Sequence, residues 1–339
     1  MYSFKNDYST SCHPKILKSL SELNNIQYDG YSEDQINSIL EARIKEEVNV
    51  NSKIYLFSGG TQTNLTFISS VLRPHEGVIS AATGHIATHE TGAIEACGHK
   101  VIELKEKNGK INAEQIGNYL QNHLSDPTFE HTVKPKLVYL SQPTEYGTLY
   151  SKKELTDIKK FCQQYQLFLY IDGARMASAL TSQANDVSLK DLGNLSDAFY
   201  LGGTKCGLLF GECLIINNPL LQNDFRYIIK QKGAMLAKGF ILAKQFESLL
   251  FDLYYEIGNY QNKLARYLAD ELQKKGIKLA ADLVTNQVFP LVKSDLIEKL
   301  KSEFDFHIWD DLGEYKVIRL CISFDTDIKQ IDKLIGMVK

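Results

Sequence analysis

The sequence predicts an α/β protein in which helices flank a mostly parallel sheet of seven strands, followed by a smaller C-terminal α+β domain. Between residues 53 and 218, short apolar runs alternate with segments whose apolar residues recur at the helical period of about 3.6 residues. Such alternation is typical of parallel sheets with helices on both faces. After about residue 219 the pattern changes to long helical stretches and then to short strands and helices, which indicates a second domain.

Seven apolar runs are predicted to be the strands of the large sheet. They span residues 53–57, 77–82, 100–104, 136–142, 166–173, 197–203 and 212–218. Too few residues separate the last two runs for a helical crossover, so we expect one antiparallel pair at that point.

The same periodicities predict the C-terminal elements. Long helices are expected over residues 218–250 and 254–276, strands over 286–292 and 315–324, and further helices over 295–304 and 327–339. We place the large domain, with an N-terminal arm, at residues 1–250 and the small domain at residues 251–339.

The composition restricts the class of partner and the compartment. A net charge of −3 over 339 residues favours neither nucleic acid nor an anionic membrane surface as a partner. No apolar run approaches the roughly 18 residues that span a bilayer, and the N-terminus lacks the pattern of a signal peptide. The six cysteines are scattered without a C-x-x-C pair, so we expect reduced thiols and a cytoplasmic location.

Ligands of open α/β sheets bind beyond the carboxyl ends of the strands, which makes the residues after each strand the candidate site. After the first strand, Gly59, Gly60 and Thr61 open a helix whose free amides and dipole suit a phosphate. A plain strand-to-helix turn explains this stretch equally well. Neither a P-loop nor a G-x-G-x-x-G fingerprint is present.

Two histidines, His85 and His89, follow the second strand. We interpret His85 as a flat ring at the mouth of the sheet, able to stack on an aromatic ligand and to move protons. A hydrogen-bonded histidine at a helix start is the alternative. Zinc is a weaker alternative, because the site lacks a third ligand and the H-E-x-x-H order, and we predict no metal.

Two later strands end in charged residues. Asp172 ends a strongly apolar strand, where a carboxylate is costly unless a cation or hydrogen-bond donors meet it, and Arg175 is a candidate anion clamp. An Asp172–Arg175 ion pair that caps a helix is the alternative. Lys205 follows the next strand; a partly desolvated lysine beside another cation has a lowered pKa and reacts with carbonyls. A lone lysine is more often a surface turn residue.

Together these residues match the requirements of pyridoxal 5′-phosphate. The aldehyde of this cofactor condenses with a lysine amine, and its pyridine nitrogen needs a carboxylate that keeps it protonated. Its phosphate needs backbone amides, and one face of its ring needs an aromatic neighbour.

Several stretches have counterparts in a known family. They are NDYST, GYSEDQ, SGGTQTN, GHIATHETGA, IDGAR, TKCG and VIRLCIS. They resemble the R-S-D-T-V-T, Y-G-E-D-P, P-S-G-T-x-x-N, S-H-I-x-x-x-E-x-G-A, I-D-G-A-R, S-K-G and I-R-L elements of the threonine aldolase / β-eliminating lyase family, which are fold-type I pyridoxal-phosphate enzymes. The likeness covers nearly the whole chain, and IDGAR followed by a lysine at this spacing is its fairly specific part.

The resemblance implies a role for each matching position. Lys205 would bind the cofactor covalently, Asp172 would pair with the pyridine nitrogen, and Arg175 would lie near the 3-oxygen. The full set of implied cofactor-binding residues is Gly59, Gly60, Thr61, His85, Asp172, Arg175, Thr204 and Lys205.

The resemblance also implies residues for the substrate. His85 is the first candidate base, with Glu90 or Glu145 behind it, and Arg319 would bind the substrate α-carboxylate. Asn6 and Tyr31 would reach a site across the interface of a homodimer or homotetramer. The implied substrate-binding residues are Asn6, Tyr31, Glu145 and Arg319.

Two departures from the family pattern leave the reaction open. The family's E-N-T-H-N, with a histidine near the substrate hydroxyl, is replaced by SQPTEYGT, and G-G-M-R-Q-A-G becomes GAMLAKG. We expect cleavage of a threonine-like β-hydroxy-α-amino acid to glycine and an aldehyde. The alternatives are β-elimination, transamination or racemisation of a small amino acid. A non-catalytic relative and a nucleotide-binding Rossmann protein are further alternatives, which the retained lysine and aspartate and the missing glycine fingerprint disfavour.

Overall fold

The computed structural model describes residues 1–338. Its strands are β1 (Tyr2–Ser3), β2 (Lys53–Phe57), β3 (Glu76–Ala81), β4 (Val101–Leu104), β5 (Lys134–Ser141), β6 (Phe168–Asp172), β7 (Ala198–Gly202), β8 (Glu212–Ile216), β9 (Lys278–Leu279), β10 (Gln287–Val288), β11 (Pro290–Lys293), β12 (Phe304–Asp305), β13 (His307–Leu312) and β14 (Tyr315–Cys321).

Helices flank these strands along the chain. They are α1 (Pro14–Ser21), α2 (Gln35–Glu47), α3 (Gly60–Val71), α4 (His85–Thr88), α5 (Ala93–Ala96), α6 (Ala113–Ser125), α7 (Lys152–Gln164), α8 (Met176–Leu180), α9 (Leu189–Leu195), α10 (Phe225–Gln231), α11 (Phe240–Leu249), α12 (Asp252–Lys274), α13 (Ser294–Lys301) and α14 (Ile328–Met337).

The large sheet contains seven strands in the order β2-β8-β7-β6-β5-β3-β4, and the predicted α/β class is confirmed. Along β5, Val138 and Leu140 pack into the hydrophobic core on one face, whereas Leu137 and Tyr139 pack into the core on the other. Burial of both faces explains why the strands are continuous apolar runs rather than alternating ones.

The prediction of one antiparallel pair was incomplete. Strand β8 runs antiparallel to β7 and also to β2, so the sheet contains two antiparallel pairs. The short link after β7 returns the chain beside it, and β2 then occupies the free edge of β8. The register aligns Glu212 with Gly202 on β7 and with Phe57 on β2.

The prediction of a long helix over residues 218–250 was wrong. Two short helices, α10 and α11, occupy this stretch. Gly233 adopts φ +70° after α10, and the amide of Ala234 donates to the carbonyl of Ile229, which ends that helix. Apolar residues keep their helical spacing across the turn between α10 and α11, because both helices pack against the large domain.

The C-terminal strands form a smaller antiparallel sheet with β14 at its centre. Helix α12 joins the two cores: Leu253 and Ile257 pack into the core of the large sheet, and Leu264 and Leu268 pack into the core of the small one. The N-terminal arm also crosses to this side, where β1 pairs with β12.

Strand β13, absent from the sequence prediction, pairs with β14 through a hairpin at Gly313, where φ is +82°. It aligns His307 directly opposite Arg319. Within residues 1–338, no helix combines the length and the apolar character needed to cross a membrane.

Candidate active site

A cavity of about 570 Å³ opens beyond the carboxyl ends of β2, β5, β6 and β7, and the small domain forms its opposite side. Most of the residues predicted for the site line this cavity. They are Gly59, Gly60, Thr61, His85, Glu145, Asp172, Arg175, Thr204, Lys205 and Arg319.

Asp172 is the last residue of β6 and its side chain is buried. Its carboxylate accepts hydrogen bonds from the Tyr139 hydroxyl at 2.5 Å, the Asn64 amide at 3.1 Å and the Ala174 backbone N–H at 3.0 Å. Burial on its own would raise the pKa of Asp172, but the positive charge of His85 in its protonated form and the hydrogen bonds from tyrosine hydroxyls and the Ala174 N–H outweigh it and lower the pKa. An ionised carboxylate thus faces the cavity. It could accept a hydrogen bond from the protonated ring nitrogen of a bound heterocycle.

Lys205 lies in the single turn Thr204–Cys206 that follows β7, and its side chain is partly buried and lines the cavity. The turn approaches the β6 loop closely, because a Cβ on Gly202 would lie 2.3 Å from the Ala174 carbonyl oxygen. Burial and the positive charge of Arg175 lower the pKa of the amine, against the opposing charges of Asp7 and Asp172. The lowered pKa favours the neutral, nucleophilic amine.

Arg175 pairs with Asp7 of the N-terminal arm, so the alternative of an Asp172–Arg175 ion pair was wrong. The Nε–Oδ2 distance is 2.6 Å and the Nη2–Oδ1 distance is 3.0 Å. Asn286 of the small domain donates a third hydrogen bond to Asp7 at 3.0 Å. Asp7 therefore connects the large domain, the small domain and the arm at one buried point.

His85 is the first residue of α4, and a carboxyl group contacts its imidazole on the side away from the cavity. Its Nδ1 lies 2.8 Å from Oε1 of Glu90, and that oxygen also accepts a hydrogen bond of 2.7 Å from the Asn64 amide. Because Asn64 also donates to Asp172, hydrogen bonds connect the imidazole to the aspartate through two buried side chains. A carboxylate at Nδ1 favours the tautomer whose Nε2 is free to accept a proton.

Glu90 was predicted as a catalytic residue, but the structure places it outside the cavity lining, behind His85. Glu145 instead reaches the cavity. Its Oε1 accepts a hydrogen bond of 2.8 Å from Ser141, while Oε2 is enclosed and has no hydrogen-bond partner among residues 1–338. Burial raises the pKa of this carboxyl group.

The turn after β2 presents backbone amides to the cavity. Gly59 precedes the first residue of α3 and Gly60 begins it, so the amides of Gly60 and Thr61 lie in the first turn, where they have no partner within the helix. A Cβ on Gly60 would lie 3.1 Å from the Tyr200 hydroxyl, which leaves little room for a side chain. This is the geometry of an anion cradle.

On the opposite side, the guanidinium of Arg319 stacks on Trp309, with Cζ 4.8 Å from the ring centroid. Its Nη2 donates to the Lys5 carbonyl at 3.4 Å, and its enclosed Nε has no hydrogen-bond partner within the described chain. His307 and Trp309 of β13 also line the cavity.

Two predicted substrate residues do not line the cavity of their own chain. Asn6 accepts hydrogen bonds from the Tyr8 amide at 3.0 Å and the Ser9 hydroxyl at 2.8 Å. Tyr31 is 44% exposed, adopts φ +59° and carries the Lys230 amine 4.6 Å above its ring.

Several cavity or support residues escaped the sequence analysis, and five of them bear on the chemistry of the site. They are Asp7, Tyr139, Glu212, His307 and Trp309. Asp7 belongs to the NDYST stretch, from which only Asn6 was predicted as a site residue. The same motif could therefore have identified Asp7. The other four lack a local signal, because each lies in a strand or at its end and looks like an ordinary strand residue.

The fold and the site define a class of protein: an α/β protein in which a lysine amine and an ionised carboxylate face one cavity beside an anion cradle. The model of the beta-eliminating lyase family matches residues 6–295, and the chain belongs to this family. The resemblance stated from the sequence is confirmed.

The relatives agree with this assignment. A solved structure of a threonine aldolase from Leishmania major is 43% identical, with a TM-score of 0.96 over 100% of this chain and 98% of the other. A low specificity L-threonine aldolase from Pseudomonas aeruginosa is 27% identical over 97% of this chain and 94% of the relative. An aspartate aminotransferase from Thermus thermophilus is 12% identical, with a TM-score of 0.74 over 99% of this chain and 90% of the other, and shares the fold-type I architecture.

Proposed function

We propose that this chain is a pyridoxal-phosphate-dependent lyase that cleaves a threonine-like β-hydroxy-α-amino acid into glycine and an aldehyde. The single observation that supports it most is the Lys205 amine of lowered pKa in the same cavity as the ionised Asp172 carboxylate. The names of the similar proteins, threonine aldolases from Leishmania and Pseudomonas, support the same reaction.

The residues fit the cofactor. Asp172 would bind its pyridine nitrogen, Lys205 its aldehyde carbon, and the amides of Gly60 and Thr61 its phosphate. Bound there, the cofactor supplies an electron-withdrawing ring for the carbanion formed at the substrate Cα.

The side chains of the cavity would perform the remaining steps. Arg319 would hold the α-carboxylate, so that the Cα–Cβ bond is the one oriented for cleavage. The hydroxyl proton moves to a base, the Cβ carbonyl forms as the Cα–Cβ bond breaks, and Cα then receives a proton to give glycine. His85 is the proposed base, because its Nδ1 is bound to Glu90 and its Nε2 remains free.

Glu145 occupies the loop where the family has a histidine near the substrate hydroxyl. Its enclosed oxygen without a partner and its raised pKa suit a carboxylic acid that donates to the hydroxyl oxygen of the substrate. We therefore assign Glu145 to substrate binding.

Product analysis with L-threonine tests the proposal. We expect equal amounts of glycine and acetaldehyde, and loss of both together with the visible band of the lysine-bound cofactor in Lys205→Ala. Release of 2-oxobutyrate without glycine would replace the proposal with β-elimination. A Lys205→Ala variant that keeps the band at full intensity would refute the assignment of the nucleophile.

We also propose that the chain forms a homodimer or homotetramer in which Asn6 and Tyr31 reach the site of a partner. Their position outside the cavity of their own chain and the exposure of Tyr31 support this. Light scattering on the purified chain should give a dimeric or larger mass, and a monomer with full activity would refute it. The six free cysteines support a reducing, cytoplasmic compartment.

A further inference from the structure

Glu212 is a buried acidic residue of the cavity that the proposed mechanism does not use. It is the first residue of β8, only 5% of it is exposed, and it contributes to the cavity lining. The register places it beside Gly202, three residues before Lys205, and beside Phe57, which directly precedes the loop of Gly59 and Gly60. Glu212 thus lies between the lysine turn and the anion cradle.

The contacts of the carboxyl group are with the lysine turn. Its Oε2 accepts a hydrogen bond of 3.1 Å from the Gly203 amide, and the Thr204 hydroxyl forms a second hydrogen bond with it. The Thr204 oxygen also accepts a bond of 3.0 Å from the Gly211 amide. Among residues 1–338, no cationic side chain lies within ion-pair distance of the Glu212 carboxyl group, although Lys205 lies close enough to lower its pKa.

Several titratable groups face this carboxyl group. They are Lys205 on the turn, Asp172 and Tyr170 on β6, Tyr200 on β7, Cys206, Cys213 and Tyr254. Burial raises the pKa of Glu212 to about 8, although Thr204 and Lys205 act in the opposite direction. At neutral pH the group is therefore mostly an uncharged carboxylic acid.

An uncharged acid has a specific use at this position. The proposed function places the cofactor phosphate, a dianion, on the amides of Gly60 and Thr61. An ionised carboxylate in the same enclosed space would repel that dianion, because charges interact strongly where water is excluded. A protonated carboxyl group can instead donate a hydrogen bond to an anion.

We propose that Glu212 belongs to the phosphate pocket and acts there as a carboxylic acid, so that a phosphate monoester binds only with Glu212 protonated. The inference rests on the proposed function, since it uses the same cofactor. It predicts that, in alkaline solution, binding of the phosphate takes up a proton at Glu212.

Pyridoxine 5′-phosphate tests this, because it has the ring and the phosphate but no aldehyde for Lys205. Its affinity for the full-length chain freed of bound cofactor is measured by calorimetry from pH 7 to pH 9. The wild type should lose about tenfold more affinity over this range than Glu212→Gln, whose side chain cannot ionise. Equal pH dependence in the two proteins would overturn the inference.

Two further measurements serve as controls for this test. Glu145→Gln, which removes another cavity carboxyl group of raised pKa, should keep the pH dependence of the wild type. If Glu212→Gln fails to fold, proton uptake is read from the wild type and Lys205→Arg in buffers of different ionisation enthalpy at pH 8.5, because the arginine keeps the positive charge that lowers the pKa of Glu212. Both should take up most of one proton, and uptake only when Lys205 is present would assign the proton to the lysine and refute the inference.

Failure of the inference and failure of the proposed function give different results. A chain that binds pyridoxine 5′-phosphate with the same pH dependence with or without Glu212, and still produces glycine from threonine, retains the proposed function alone. A chain that binds neither the analogue nor pyridoxal 5′-phosphate at any pH would refute both.

Discussion

The two sides of the cavity are built differently. On the large-domain side, Asp172 ends β6 and Lys205 follows the neighbouring parallel strand β7, so the sheet brings both to one edge. On the opposite side, Asp7, Trp309 and Arg319 come from the N-terminal arm and the small domain, and distant parts of the chain bring them together. The strand-end side thus follows from the order of the strands, whereas the opposite side depends on how the domains and the arm pack.

This comparison suggests a division of roles. The strand-end side contains the groups that would act on the cofactor, so its substitutions should reduce kcat. The arm and small-domain side would orient the substrate and close the cavity, so its substitutions should change stability or KM.

Among the variants that compare the two sides of the cavity, Asp172→Asn has the largest expected effect. The amide is nearly the same shape, but it cannot keep a pyridine nitrogen protonated, and kcat should fall by roughly 10³-fold. Steady-state glycine formation measures the loss. Tyr139→Phe is the matched control, because it removes one hydrogen-bond donor and leaves the carboxylate, and it should cost far less activity. An Asp172→Asn enzyme within threefold of the wild type would contradict the role of the strand-end side.

Asp7→Asn should affect stability more than chemistry. It leaves the Arg175 guanidinium, whose side chain is 14% exposed, without its ion-pair partner, and should lower the free energy of unfolding by about 3 kcal/mol. Urea denaturation followed by circular dichroism at pH 7 measures the difference. Glu33→Gln is the matched control, because it breaks an exposed ion pair in which the Arg226 side chain is 45% exposed and the Glu33 side chain is 68% exposed. It should lower the free energy of unfolding by less than about 1 kcal/mol.

The pH dependence of this effect has a definite sign. Burial opposes ionisation of Asp7, but the charges of Arg175 and Lys205 outweigh it, so the folded pKa lies below the ordinary value. The contribution of the ion pair is therefore complete above the unfolded pKa of about 4 and is lost as the pH falls through the folded pKa. The gap between wild type and Asp7→Asn should close as the pH falls below 4; a constant gap would show that the charge of Asp7 is not what stabilises the fold.

The same division separates what the sequence could predict from what it could not. The seven strands of the large sheet were predicted to within two residues at each end, because strands buried on both faces are continuous apolar runs. Asp172 and Lys205 were found because the carboxyl ends of such strands share one edge.

The remaining features depend on contacts between distant segments. The Arg175–Asp7 pair joins residues 168 positions apart, and only the packing of the arm brings them together. Strand β13 escaped detection because its exposed Asp310 and Asp311 look like a loop, although Trp309 in the same strand reaches the cavity. The helix predicted over residues 218–250 failed at Gly233, where the left-handed backbone ends α10 in spite of a continuing apolar period.

The smallest expected effect comes from Trp309→Leu on the small-domain side. The leucine removes the aromatic face on which the Arg319 guanidinium lies, 4.8 Å from the ring centroid, and leaves the guanidinium free to turn away from the substrate carboxylate. A cation–π contact of this kind is worth about 1 kcal/mol, so KM for L-threonine should rise about fivefold while kcat changes little. Trp309→Phe keeps an aromatic face and should restore most of the affinity. If both variants instead lose kcat at unchanged KM, Trp309 acts in the chemical step, and the proposed division between the two sides of the cavity is wrong.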